Sequence, residues 1–285
     1  MRPLLTIGSL VLLTSALSAQ SRFQLGLFGG VSQYQGDLQS STFQSRFANA
    51  ALGLTGTYDI SPRFALRGGI TLSALEASDR YNSKPELRPR NLSFATKLAD
   101  ASLMGQYTFF NPDEIRWSPY VFAGVAVFRV KPYTYDTSGQ KWYLMPLGTE
   151  GQGLEQYPER KAYHYTQFAI PFGGGVRYAF NQTWSLGVEL SVRKTFTDYI
   201  DDVSSSYAAR EDLLAARGPK AVELAFRQGE VDPAAQYPEK GSMRGQEKRK
   251  DLYYFTGLHL QYRFGAGGNG GGRGKGKYGC PVVRP

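Results

Sequence analysis

The sequence predicts an all-β protein: an eight-stranded antiparallel transmembrane β-barrel with long external loops and short periplasmic turns. Three observations predict it. From Trp184 to Val192 apolar and polar residues alternate unbroken, with Trp184, Leu186, Val188, Leu190 and Val192 on one face and Ser185, Gly187, Glu189 and Ser191 on the other. A strand has a side-chain period of two, so one face is greasy and the other wet. The pattern recurs along the chain behind an export signal, and the connections between its repeats alternate between short and long. Strands that meet lipid outside and a polar lumen inside carry this combination.

Residues 1–19 read as a signal peptide: Arg2 is the positive charge, Leu4 to Leu13 the apolar stretch, and Ala16, Ser18 and Ala19 the small residues, with cleavage after Ser18 or Ala19. The apolar stretch is far short of the ~20 residues a spanning helix needs. No cysteine follows it to carry a lipid anchor. The rest of the chain has no long apolar run, which excludes a helical inner-membrane protein. Mean hydropathy is negative, as it is for a barrel with half-polar strands and hydrophilic loops. The net charge of +9 would suit nucleic acid, but export argues against that partner; solvated loops and a basic tail account for it. Cys280 is the only cysteine, too isolated for a disulfide or a metal site.

Eight strands follow in order. The first, Phe23–Tyr34, aligns Phe23, Leu25, Leu27 and Val31; the second, Ala48–Asp59, aligns Ala50, Leu52, Leu54 and Tyr58. The third, Arg63–Leu75, sets Phe64, Leu66, Ile70 and Leu72 against Arg67, Thr71 and Ser73. The fourth, Leu92–Phe109, aligns Leu103, Tyr107 and Phe109 and holds Lys97 and Asp100 in its middle. The fifth, Pro119–Val130, is apolar on both faces until Arg129, so periodicity alone does not make it a barrel strand. The sixth, Gln167–Phe180, sets Phe168, Ile170, Phe172, Val176 and Tyr178 against Gln167, Gly173, Gly175 and Arg177. The seventh runs from Trp184 to Phe196. The eighth, Leu252–Phe264, sets Leu252, Tyr254, Leu258, Leu260 and Tyr262 against His259, Gln261 and Arg263. Barrel residues therefore span 20–264, and an even strand count puts both termini in the periplasm.

Short connections (60–62, 110–118 and 181–183) alternate with long ones (36–47, 76–91, 131–166 and the insertion 197–251). Within the last, Ala208–Phe226 has helical character that Gly218-Pro219 interrupts, which predicts two short helices or a mobile insertion. Residues 265–285 form a flexible, basic, glycine-rich tail with Arg273, Lys275 and Lys277.

Eight strands enclose space only for side chains. Arg67, Lys97, Asp100, Arg177, Glu189, Arg193 and Arg263 are expected to pair across the lumen and plug it. The function then lies in loops, termini or partners.

No convincing catalytic constellation appears, so the chain is expected not to be an enzyme and to need no cofactor and no small-molecule substrate. Of its two histidines, His259 is expected in the lumen network and His164 in a solvated or interfacial loop position. A Ser/His/acid lipid hydrolase has no nucleophile motif to support it. Asp198, Asp201 and Asp202 have carboxylates suited to calcium but not the spacing of a calcium loop; they are expected to cap a turn and pair with Arg193 or Lys194. The run Gly148-Thr149-Glu150-Gly151-Gln152-Gly153 lacks the ending of a phosphate loop and reads as a structured turn in an external loop.

Several segments together resemble the PorG family of Bacteroidetes outer-membrane barrels: Gly29–Leu38, Arg90–Phe94, Ser118–Gly124, Pro146–Gly153, Ile170–Gly175 and Arg193–Ser204. The most specific are Thr149-Glu150-Gly151-Gln152-Gly153 and the run through Thr197, Asp198, Tyr199, Asp201 and Asp202. The resemblance spans roughly residues 23 to 264 and leaves the tail outside it. It implies a non-catalytic part of the type IX secretion system that anchors that machine's periplasmic ring to the outer membrane, with outer-membrane lipid and the ring proteins as partners. Pro112, Asp113, Glu114 and Arg116 in the second turn, and Arg273, Lys275 and Lys277 in the tail, are the contact candidates. The alternative is a general small outer-membrane barrel for envelope stability or loop-mediated adhesion.

Overall fold

The computed structural model describes residues 22–41, 43–111, 115–246 and 250–265. The segment 1–19 expected to be a signal peptide, Pro112, Asp113, Glu114, and the C-terminal segment with Arg273, Lys275, Lys277 and Cys280 lie outside the described residues.

Eight long strands make the barrel: β1 Phe23–Gln35, β2 Asn49–Asp59, β3 Phe64–Ser78, β4 Ser93–Thr108, β5 Trp117–Arg129, β8 Thr166–Ala179, β9 Trp184–Thr195 and β10 Leu252–Arg263. Two short strands, β6 Tyr133–Tyr135 and β7 Lys141–Tyr143, form a hairpin in the long connection after β5. Each barrel strand pairs antiparallel with its neighbours, β1 pairs with β10, and β3 with β4, so the eight strands close on one another. Hydrocarbon offers no hydrogen-bond partner, so closure is what lets a sheet cross a bilayer. The β5–β8 ladder is interrupted opposite Ile170 and Pro171, where proline has no N–H to give.

The outward face is apolar and uncovered: Leu52 is 70% exposed, Phe168 66% and Val125 62%. So large an apolar surface on a closed barrel fits hydrocarbon, not water. At the short-turn end an aromatic belt encircles it. Phe64 touches Tyr107 and Tyr107 touches Phe109; Trp117 touches Tyr178 and Tyr178 touches Phe180; Trp184 touches Tyr262, and Phe264 bridges Tyr262 and Phe23. Amphipathic rings favour the headgroup level. The protein is an eight-stranded transmembrane β-barrel.

β5 is apolar on both faces because its inward residues Tyr120, Phe122, Ala126 and Phe128 are themselves buried packing inside the barrel. Gly175 makes room for one of them: a Cβ there would stand 2.7 Å from the Tyr120 hydroxyl. Both chain ends of the barrel lie at the short-turn end, where the Phe264 amide donates to the Phe23 carbonyl.

Lys97 corrects the expected lumen set. It is exposed on the outer face, while Asp100 is buried inside. The two are three residues apart, an odd spacing, so one strand must place them on opposite sides.

Candidate functional site

The lumen is a stack of charged groups. In the middle, Arg67 donates from both terminal nitrogens to Glu189, at 2.7 and 3.0 Å. Glu189 also accepts from the Tyr120 hydroxyl at 2.9 Å and lies 3.5 Å from His259 Nδ1; His259 Nε2 meets Thr55 Oγ1 at 2.8 Å. The Arg67 guanidinium lies over the Phe122 ring, 4.3 Å from its centroid. Toward the long-loop end, Arg193 pairs with Asp100 at 3.0 and 3.3 Å, and Tyr253 donates to Asp100 at 2.9 Å. A cavity of about 20 Å³, room for about one water, lies among Arg67, Glu189, Arg193 and His259. Of the lumen residues expected from sequence, Arg67, Asp100, Arg177, Glu189, Arg193 and Arg263 all face inward. His259 joins them as expected. Gln261, set on the polar face of the last strand, also faces inward, and sequence reasoning left out Tyr120, Tyr253 and Gln106, whose polar tips are hidden in aromatic or neutral residues.

At the short-turn mouth, Arg177 donates to Gln261 at 2.9 Å, Gln24 donates to Asp59 at 2.7 Å, and Arg263 stands 3.7 Å from Asp59. Two clefts of about 260 and 340 Å³ open here and share Arg177 and Arg263. Arg116, from the contact candidates, lines the first; Arg22 and Arg63 line the second.

The opposite mouth is covered by a folded cap. The helices Arg210–Arg217 and Pro219–Ala225 meet at Gly218-Pro219, as the sequence predicts, and give Leu213, Ala221 and Ala225 to a small core with Leu154, Tyr157 and Ala208. The two specific motifs meet inside the cap. Glu150 is fully buried and accepts from the Ser204 and Ser205 amides at 3.0 Å each, from Ser205 Oγ at 2.8 Å and from Arg244 at 3.0 Å. Asp202 accepts from Thr149 Oγ1 at 2.5 Å and from the Tyr163 hydroxyl at 2.7 Å. Tyr199 stacks on Tyr163, with centroids 5.0 Å apart. The turn 148–153 is the structured one expected. Gly151 takes φ +83°, and a Cβ there would meet the Tyr157 ring at 2.9 Å, so glycine is required on both counts. Gln152 accepts from the Glu150 amide at 2.9 Å, and the Gly153 amide donates to the Arg160 carbonyl at 2.7 Å. Thr197 Oγ1 caps its own turn by accepting from the Tyr199 amide at 3.1 Å.

The acidic cluster departs from expectation. Arg193 is engaged with Asp100 and Lys194 is exposed; the aspartates are held by hydroxyls and amides instead. Asp198 accepts from Ser204 Oγ at 2.8 Å, and Asp201 and Asp251 share the Tyr34 hydroxyl at 2.6 and 2.7 Å. One hydroxyl has one hydrogen, so it can donate to only one of these two carboxyls at a time. Burial, reinforced by the Asp251 charge, holds Asp201 well above the usual carboxylate range, and burial followed by the Asp198 charge does the same to Asp251. Burial pushes Asp198 up to about 7 and Asp202 to about 6, the latter against the pull of Arg244. Among the described residues no group of His, Cys, Asp and Glu is arranged to hold a metal. The partner that sequence reading missed is Arg244, distant in the chain and fixed by burial beside Glu150. His164 is exposed in its loop.

A family model described as "Domain of unknown function (DUF6089)" matches residues 2–215, and the chain belongs to that family. No curated protein matches the sequence. Among solved structures, the chain is similar to the Neisserial surface protein A, at 10% identity and TM-score 0.40 over 85% of this chain and 97% of that one. It is similar to Ail, the attachment invasion locus protein of Yersinia pestis, solved with the heparin analogue sucrose octasulfate, at 8% identity and TM-score 0.41 over 85% and 98%. A third is a major outer membrane protein from Thermus thermophilus, at 15% identity and TM-score 0.39 over 85% and 99%.

Proposed function

We propose that this member of the DUF6089 family is a non-catalytic outer-membrane barrel that anchors a periplasmic protein assembly, as the resemblance to the PorG family implies. The observation that carries this reading is the filled lumen: a barrel plugged by Arg67–Glu189 and Arg193–Asp100 supports work at its faces, not passage through it. In this reading the short-turn mouth and the tail that leaves it face the periplasm, and the cap faces outward. Positive charge at the short-turn mouth, from Arg22, Arg63 and Arg116, supports a partner on that side. The resemblance makes that partner the ring of the type IX secretion system. Affinity purification of the tagged chain from intact membranes tests it: ring proteins are expected in the eluate, and their absence under conditions that keep the ring intact contradicts the reading.

A second reading, envelope support or adhesion through the loops, draws on the cap. Its own core and a cleft of about 460 Å³ bordered by Lys84, Arg90, Tyr207 and Arg244 give it a defined outer surface. Removing residues 208–245 abolishes function in that reading and spares export in the first.

A further inference from the structure

Arg67 and Arg193 each hold a carboxylate with two hydrogen bonds deep in the lumen. Arg177 differs. It is only 5% exposed, yet among the described residues no carboxylate lies within 4.0 Å of it; its partners are the neutral Gln261 amide and, 5.9 Å away, the Tyr120 ring. A guanidinium taken out of water with no carboxylate in direct contact, and only the more distant Asp59 charge to favour it, is costly to bury, and an incoming anion relieves that cost. Arg177 also lines both clefts of the short-turn mouth, whose rims carry Arg22, Arg63 and Arg116, all exposed. The nearby acids are Asp59, already engaged by Gln24 and Arg263, and by sequence Asp113 and Glu114.

We propose that this mouth is a carboxylate socket for an acidic peptide segment of the periplasmic partner, with Arg177 at its floor and Arg22, Arg63 and Arg116 at its rim. The planar guanidinium fork suits a carboxylate. Arg177 and Gln24 point into the barrel at the floor of the clefts, while Phe64, Phe180 and Trp184 of the belt border their outer rims. A lipid phosphate at that rim is the competing occupant, and the displacement arms of the test separate it from a peptide carboxylate. By sequence the segment after Phe264 carries Arg273, Lys275 and Lys277, positive charges that suit an acidic partner. This inference rests on the anchoring reading for the identity of the partner, but not for the chemistry of the socket.

The test uses the purified full-length chain in detergent and a fluorescein-labelled peptide of repeating Gly-Glu, followed by anisotropy. Arg177→Gln is expected to weaken binding about tenfold or more, the loss typical of one charge-assisted pair. Arg177→Lys is expected to fall between, because it keeps the charge and loses the fork. Arg46→Gln, in the long-loop turn Ser45–Phe47, is expected to change nothing. If Arg177→Gln fails to fold, the double variant Arg63→Gln/Arg116→Gln, altered only at exposed positions, is expected to weaken binding by a similar factor. Equal binding by these variants and the parent overturns the socket, as does phosphate or a phosphatidylglycerol vesicle displacing the peptide more strongly than free glutamate does. Peptide binding that persists while membranes yield no ring proteins overturns the anchoring reading alone. Ring proteins recovered undiminished with Arg177→Gln overturn the socket alone.

Discussion

Glu189 ties three lumen side chains together, holding Arg67, Tyr120 and His259 at once. Truncating it to alanine strands a buried guanidinium, and one lost partner of a buried pair typically costs about 3–5 kcal/mol. Urea unfolding of the barrel refolded in vesicles is expected to show Glu189→Ala destabilised on that scale, with Arg67→Met/Glu189→Leu recovering most of the loss. A cost for the single variant below about 1 kcal/mol would mean that water reaches the pair and that the plug is loose. The aspartates of the cap make a prediction of opposite origin. Asp198 and Asp202 are raised by burial, so their ionised forms are less welcome folded than unfolded. Their contribution is complete below the ordinary carboxylate range near pH 4 and is lost as pH climbs through about 6 and about 7. Hydrogen exchange at the Ser204 and Ser205 amides is therefore expected to speed up from pH 5 to pH 8 beyond its intrinsic rise, and Asp198→Asn to flatten that trend. Slower exchange relative to the intrinsic rate at pH 8 would reverse the sign and refute it.

At the scale of elements, the strands were legible because lipid outside and polar groups inside write the same period twice. Each expected strand matches the observed one to within a few residues, and the glycines and aromatics of β5 and β8 interlock as close packing requires. Lys97 was misplaced because composition drew it into the lumen while parity put it outside. The cap was barely legible. Its helices carry local signals, but its centre joins Glu150 to Ser204, Ser205 and Arg244, contacts that no local pattern encodes. The β6–β7 hairpin had one signal, Asp136 followed by Gly139; the Asp136 carboxylate takes the Ser138 and Gln140 amides at 3.0 and 2.9 Å. Gly151→Val tests whether the cap folds as a unit apart from the barrel. It is expected to leave heat-modifiable migration intact and to open the cap to protease, whereas loss of the folded barrel would show that the two are one cooperative body.

For the whole molecule, closure and filling decide what the chain is able to do. Eight strands closed on one another with an apolar exterior belong in a bilayer, and among the described residues the lumen is crossed by the buried Arg67–Glu189 and Arg193–Asp100 pairs, with a cavity of about 20 Å³ beside them. What remains are two faces: a cap knitted by buried carboxyls and an arginine-rimmed mouth beneath. An anchor needs only that the barrel hold its place while one face is gripped, and the interior pairs provide stiffness where a channel would have water. The most direct measurement is single-channel recording of the folded, full-length chain in planar bilayers. The account predicts a silent membrane at every voltage that the bilayer tolerates. Steady ohmic currents scaling with the amount of inserted protein would contradict it, because they require an open water column where Arg67, Glu189, Asp100 and Arg193 stand.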